Sequence, residues 1–292
     1  MKNKFLLTIL TLAITGGYTA NQASAQSKQR YKVAVADIYI LKRQKIGAFE
    51  LAKTIGTDGV EVDMGGLGDR PHFDNQLTAD STRDKFLAAA KATNLEISSI
   101  SMGGFFSQSF ANRADAVNLA TECINTMVRM NVKIGFLPLG INSDLGANPE
   151  YRPAIVSKLK EVGKIAQKAG VTIAIGTTLS AQADLDLLKE VNSPAIKIYY
   201  NFQTALDAGR DLEKELELLG KKNIAIIHCT DTDGKWLQND PKIDLKKVKA
   251  TLDKMGWSGW LVIERSRDAA DVHNVKKNYS ANAAYVKSIF QQ

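Results

Sequence analysis

The chain has 292 residues, 45% of them hydrophobic and 24% charged, with a formal net charge of +7 and two cysteines. That composition excludes a disordered or low-complexity chain, and Cys123 and Cys229 are too few for a disulfide framework: they either bridge each other or, as we read them, are two separate buried thiols. The basic residues are spread along helical stretches such as KLKEVGKIAQK and form no patch, so weak attraction of anions is expected but no nucleic acid partner.

The N-terminus comes first. Lys2 and Lys4, the apolar run FLLTILTLAITGG and the small residues ASA before Gln26 have the layout of a secretory signal peptide over residues 1–25, with cleavage expected after Ala25. The run is shorter than the roughly 18 to 20 residues that span a bilayer, and no cysteine near the cleavage point offers a site for lipid. The mature protein is therefore expected to be periplasmic or secreted, without a membrane span. Loss of Lys2 and Lys4 lowers the charge from +7 to +5. The remaining residues, 26–292, contain no low-complexity linker and read as a single domain.

Along that domain, short runs rich in valine and isoleucine recur: KVAVADI at 32, GVEVDM at 59, LEISSIS at 95, VKIGFLP at 132, VTIAIG at 171, IKIYYN at 196, NIAIIH at 223 and WLVIE at 260. Between them lie segments of helical period, among them TRDKFLAAAKAT, RADAVNLATECINTMVRM, YRPAIVSKLKEVGKIAQKAG, AQADLDLLKEV and IDLKKVKATLDKMG. Apolar strands alternating with amphipathic helices imply a parallel sheet covered by helices. Eight such units predict an α/β fold, a (β/α)8 TIM barrel. The competing doubly wound sheet lacks its Gly-rich phosphate turn after the first strand.

Barrels of this kind carry their chemistry where the strands end. Side chains alternate along a strand, so GVEVDM puts Val60, Val62 and Met64 on one face and Glu61 and Asp63 on the other, which looks into the barrel. The seventh strand ends at His228, one of three histidines, with Ile226 beneath it. In the eighth, Glu264 faces inward and Arg265 is expected to point away. His72 and His273 lie in polar, loop-like stretches and receive no role. Trp236, in the loop after the seventh strand, is a candidate to stack on a sugar ring. Tyr199 and Tyr200 read equally as packing or stacking residues, and residues 141–152 as a lid after the fourth strand.

IAIIHCTDTDGKW followed by IDLKKVKATLDKMGWSGWLVIERS resembles the last two units of the xylose isomerase-like sugar phosphate isomerase/epimerase family. The resemblance implies one divalent cation, manganese, magnesium or zinc, held by a Glu ending strand 5, an Asp ending strand 6, a His ending strand 7 and a Glu ending strand 8, with the glutamates moving protons. Carried onto this chain, the last two positions are His228 and Glu264. The first two are Gly176 and Asn201, a glycine without a side chain and a neutral amide, and Thr230 stands where a lysine is usual, before Asp231. The resemblance thus implies a degenerate metal site, in which no metal ligand is assigned unless His228 and Glu264 bind one, with Glu61 or Asp63 as substitutes for the missing carboxylates.

The function expected is that of an exported sugar isomerase or epimerase that removes a proton beside the carbonyl of a sugar or keto-sugar. Glu264 and His228 are the catalytic candidates, and Glu61, Asn201, Asp231, Trp236 and Arg267 the candidates for binding substrate. With one glutamate gone, Glu264 serves as a single base, and His228 or a nearby cation such as Lys235 takes the oxyanion role. A non-catalytic carbohydrate-binding barrel and a one-base sugar lyase are the alternatives.

Overall fold

The computed structural model describes residues 30–292; the leader expected at 1–25 lies outside the described residues. The first half alternates β1 (Tyr31–Ala36), α1 (Gly47–Ile55), β2 (Gly59–Asp63), α2 (Asp80–Thr93), β3 (Glu96–Ser101), α3 (Ala116–Arg129), β4 (Ile134–Pro138) and α4 (Arg152–Ala169). The second continues with β5 (Thr172–Gly176), α5 (Ala181–Val191), β6 (Ile196–Asn201), α6 (Phe202–Asp207), α7 (Leu212–Leu219), β7 (Ile224–His228), α8 (Leu245–Met255), β8 (Gly259–Ile263) and α9 (Val275–Phe290). The strands pair in sequence order, all parallel, and β8 closes onto β1 from Tyr31↔Gly259 to Val35↔Ile263. This is the eight-stranded barrel the alternation predicts.

The barrel forms because most strands are largely apolar on both faces, with polar inward positions confined to a few strands such as β2 and β3. The outward valines and isoleucines of β1, β2 and β7, such as Val33, Val60, Val62 and Ile227, are buried beneath the helices. The inward positions form a separate core of Ala34, Ala36, Phe136, Ala174, Tyr199, Ile226 and Val262. Small alanines from β1 and β5 leave room for the rings of Phe136 and Tyr199, whose centroids are 4.1 Å apart. Helix α3 approaches closely at Gly135, where a Cβ would sit 2.7 Å from Met127 Sδ. Helices stop sharply: Gly170 ends α4 in the left-handed conformation at φ 68°, its N–H donating to the carbonyls of Ala166 and Gln167.

Cys123 and Cys229 are both free and buried. Among the described residues, no helix is long and apolar enough to cross a membrane. Register shifts interrupt the ladders between Val60 and Glu61 and between Ile198 and Tyr199. They lie just before Glu61 and Tyr199, and the residues skipped in the partner strands are Ser98 of β3 and Ala225 of β7.

Candidate active site

Five strands, β2, β3, β6, β7 and β8, deliver side chains to the barrel mouth at the C-terminal strand ends. His228, the last residue of β7, is 2% exposed; its Nδ1 lies 2.8 Å from Glu264 Oε2, immediately after β8. On the other side, His228 Nε2 faces Glu61 Oε1 of β2 at 3.8 Å and has no hydrogen-bond partner in the structure. Glu61 is itself fixed by two donors to Oε2, the Ser99 hydroxyl at 2.6 Å and the Tyr199 hydroxyl at 3.2 Å. Asn201, the last residue of β6, directs Nδ2 toward Glu264 Oε2 at 3.4 Å and stands 3.2 Å from His228 Nδ1, while its Oδ1 caps α6 through the N–H of Thr204.

Burial works against a charged imidazole, yet the neighbouring Glu264 and then Glu61 outweigh it and lift the His228 pKa to about 9. Burial likewise opposes ionised Glu264, but the charge and hydrogen bond of His228, with the Tyr39 hydroxyl and Arg265, hold its carboxyl below the usual carboxylate range. Burial, with the charges of Glu61 and Glu264, pushes the Tyr199 hydroxyl well above its ordinary value, so it stays a donor. The pair is therefore imidazolium and carboxylate at neutral pH. Charge-assisted contacts of this kind are strong and geometrically defined.

The structure does not bring every sequence candidate to this cluster. Trp236 does not face the mouth: its Nε1 donates to Asn278 Oδ1 at 2.7 Å and Lys277 lies over its ring, so it docks the loop onto α9. Arg267 forms a two-point pair with Asp233, at 2.9 and 2.5 Å. Asp231 is buried in the same loop, accepting from Lys242 Nζ at 3.0 Å. Asp63 does face into loops at the strand ends, but it is occupied by Arg43 Nε at 2.6 Å and by the N–H groups of Gly65 and Gly103. Arg265, expected to point away, approaches Glu264 Oε1 to 4.0 Å beside the Tyr39 ring, in the segment that follows the end of β8 at Ile263. Lys235, His72 and His273 are exposed.

Residues that the sequence reading did not single out complete the site. Ser99 holds Glu61, and Phe106 and Phe136 wall a pocket of about 90 Å³ that reaches His228, Asn201 and Gly176. Ser99 had a signal, two residues before the end of β3 opposite Glu61 in the ladder. Phe136 had none, since an aromatic within an apolar strand reads as core. Over the pocket, the segment after β4 is tied down by Asn142 Nδ2 to the Phe106 carbonyl at 3.3 Å and by the Thr178 hydroxyl to Asp144. A larger cavity, about 690 Å³ along Arg30, Lys32 and Trp260, lies at the opposite barrel end, away from this cluster.

The donors present do not fit a divalent cation. At Gly176, a side chain beginning with Cβ would meet the Phe136 ring at 2.7 Å, so the ring fills the space a fifth-strand carboxylate would need. His228 and Glu264 already pair directly, and Asn201 presents its amide nitrogen to both. Among the described residues, no group of three or more His, Cys, Asp or Glu side chains is arranged to hold a metal. Hard cations draw their affinity from several converging oxygens, and these are lacking.

A closed parallel barrel with a buried carboxylate and histidine cluster at its C-terminal mouth defines a class of barrel whose site is assembled from strand ends. Within that class, the chain belongs to the xylose isomerase-like TIM barrel family, whose sequence profile matches residues 49–289. No curated protein matches the chain. Among solved structures, a D-psicose 3-epimerase from Clostridium cellulolyticum with D-tagatose is 14% identical, with 89% of this chain and 99% of that one covered and a TM-score of 0.71. A sugar phosphate isomerase/epimerase from Parabacteroides distasonis is 12% identical, with 93% and 99% covered and a TM-score of 0.68. An IolI protein with a bound zinc atom is 18% identical, with 89% and 100% covered and a TM-score of 0.67. At these identities the likeness is one of fold.

Proposed function

We propose that this chain moves a proton beside the carbonyl of a sugar or keto-sugar, the chemistry of a sugar isomerase or epimerase, without a divalent cation. The observation that carries the reading is the buried Glu264 and His228 pair, 2.8 Å apart at the barrel mouth. Glu264 is the base: it takes the C–H proton while the His228 imidazolium donates to the carbonyl oxygen, giving a neutral enediol in place of an unsupported enediolate. Protonated Glu264 then gives its proton to the adjacent carbon while the neutral His228 takes the proton of the neighbouring enediol hydroxyl, which completes an isomerisation and restores both groups. Asn201 orients the carboxylate through Nδ2, and Glu61 Oε1 faces the far side of the imidazole at 3.8 Å. One base acts on one face, which suits a shift of the carbonyl better than inversion of a centre.

The family and its sugar-handling neighbours support the substrate class, and the leader at residues 1–25 supports export to the periplasm or beyond. A free sugar suits that location. A carbohydrate-binding barrel without turnover is the second reading, favoured by Gly176 and Asn201 at the positions of the missing carboxylates. Hydrogen exchange in deuterated water separates the two. Wild type is expected to place deuterium beside the carbonyl of a bound ketose, and Glu264→Gln to lower that rate by about 10²- to 10⁴-fold, the usual contribution of a positioned base. Equal exchange in both proteins would remove Glu264 from the reaction, and no exchange in wild type would leave the binding reading.

A further inference from the structure

The inward face of β4 and the end of β5 fit each other in an unusual way. Gly176 is the last residue of β5, and the ring of Phe136 lies against it so closely that even a methyl group there would stand 2.7 Å from Cε2. The ring is held in place from three sides. Tyr199 lies 4.1 Å from its centroid, His228 5.4 Å and Phe106 6.0 Å. The last two contacts are edge-on, so the phenyl group is locked between neighbours and is not a loose side chain that happens to fill a gap.

What remains above the ring is a pocket of about 90 Å³, walled by Phe106, Pro138 and Gly140 on one side and by Thr177, Thr204 and Asn201 on the other. At about 30 Å³ of liquid per water, that is room for roughly three waters, or a triose-sized fragment. No lysine, arginine, aspartate or glutamate lines it; of its two titratable walls, Tyr199 donates to Glu61 and His228 is already paired with Glu264. The Thr204 hydroxyl makes no hydrogen bond with the described residues, whereas Thr177 is engaged with Asp184 at 2.7 Å. An apolar floor, a small number of neutral polar groups at the rim and a single imidazolium whose charge Glu264 already balances describe a site for an uncharged polar fragment, since a phosphate or carboxylate would be desolvated there without a free cation as partner.

We propose that Phe136 has taken the place of the fifth-strand carboxylate and made it the aromatic floor of a metal-independent subsite that receives the short, uncharged end of a keto-sugar, with Thr204 and Asn201 as its polar contacts. The subsite rests on the sugar-handling reading above, and it names the part of the substrate that enters first. Gly176 and Phe136 are then specificity residues that act together: the glycine is required because the ring is there.

Binding, read separately from turnover, tests this. The probes are dihydroxyacetone and dihydroxyacetone phosphate, titrated into chelator-treated protein by saturation-transfer NMR, with thermal melts to establish that each variant is folded. Dihydroxyacetone is expected to bind without added metal and its phosphate not to compete. Gly176→Ala is expected to weaken dihydroxyacetone about tenfold or more, as a methyl forced into filled space displaces the ring into the pocket. Thr204→Val, which keeps the volume, is expected to weaken it about fivefold through one lost hydrogen bond. Failure of dihydroxyacetone to bind, competition by the phosphate at equal strength, dependence on added manganese, or wild-type affinity in both folded variants would each overturn the subsite. Glu264→Gln separates this from the catalytic reading: binding retained with exchange lost supports both, whereas binding retained with exchange unchanged leaves the subsite and removes the base.

Discussion

His228 is buried between two carboxylates, and its proton is the most sensitive feature of the site. The imidazole titrates near 6.5 when unconstrained and is lifted to about 9 here, against the cost of burial, by Glu264 and Glu61. The folded protein therefore holds this proton more tightly than the unfolded chain does. The resulting stabilisation is fully present below about pH 6.5 and is lost as pH rises through about 9. Urea midpoints of wild type and His228→Asn, measured across that window, are expected to converge or cross as pH rises, with the steeper fall in wild type. Parallel curves would mean that the imidazole is neutral in the folded state. Glu61 belongs to the same scale: the hydroxyls of Ser99 and Tyr199 hold its Oε2, which leaves Oε1 3.8 Å from Nε2.

At the scale of elements, the site depends on helices that begin and end where the sequence sets them. Asn201 performs two tasks because β6 runs directly into α6: its oxygen caps the helix and its nitrogen reaches the ion pair. Elsewhere capping is purely structural. Asp244 accepts from the N–H groups of Lys246 and Lys247 at the start of α8, far from the cluster in function though the helix supports β8. Asp244→Ala is expected to lower stability by about 1 kcal/mol, the typical worth of such a cap, and to leave exchange chemistry unchanged. Chemical denaturation together with the deuterium assay checks both halves of that expectation. The loop between β7 and α8 is likewise a structural unit: Trp236, Asp231 and Arg267 each have protein partners that hold it against α9 and against the chain after β8.

At the scale of the molecule, closure of β8 onto β1 makes one mouth from distant residues; Glu61 and Tyr199 meet although 138 residues separate them. The barrel interior is filled, not hollow, and the inward alanines of β1 and β5 let Phe136 and Tyr199 occupy it. A cation bound by the folded state alone would add stability by mass action. Since the donors do not converge on such an ion, dialysis against a chelator is expected to leave Tm unchanged, and addition of manganese, magnesium or zinc to leave it unchanged as well. A rise in Tm that saturates with one of these metals, and disappears in Glu264→Ala, would show a site rebuilt around His228.

Much of this was legible from the sequence. The recurrence of KVAVADI-like runs between helical segments specifies a parallel barrel, because strands buried on both faces must be apolar throughout and helices must cover the outer face. Alternation within GVEVDM and WLVIE specifies that Glu61 and Glu264 face inward, and the end of NIAIIH places His228 beside them. These are local properties of a strand. Only the tertiary structure decided that Phe136 fills the space left by Gly176, that Trp236 serves Asn278, that Arg267 serves Asp233, and that Arg265 approaches Glu264 beside the Tyr39 ring. Each of those depends on which side chains from separate elements compete for one volume or one charge. Periodicity fixes the face a residue presents, and packing across the barrel fixes what it meets there.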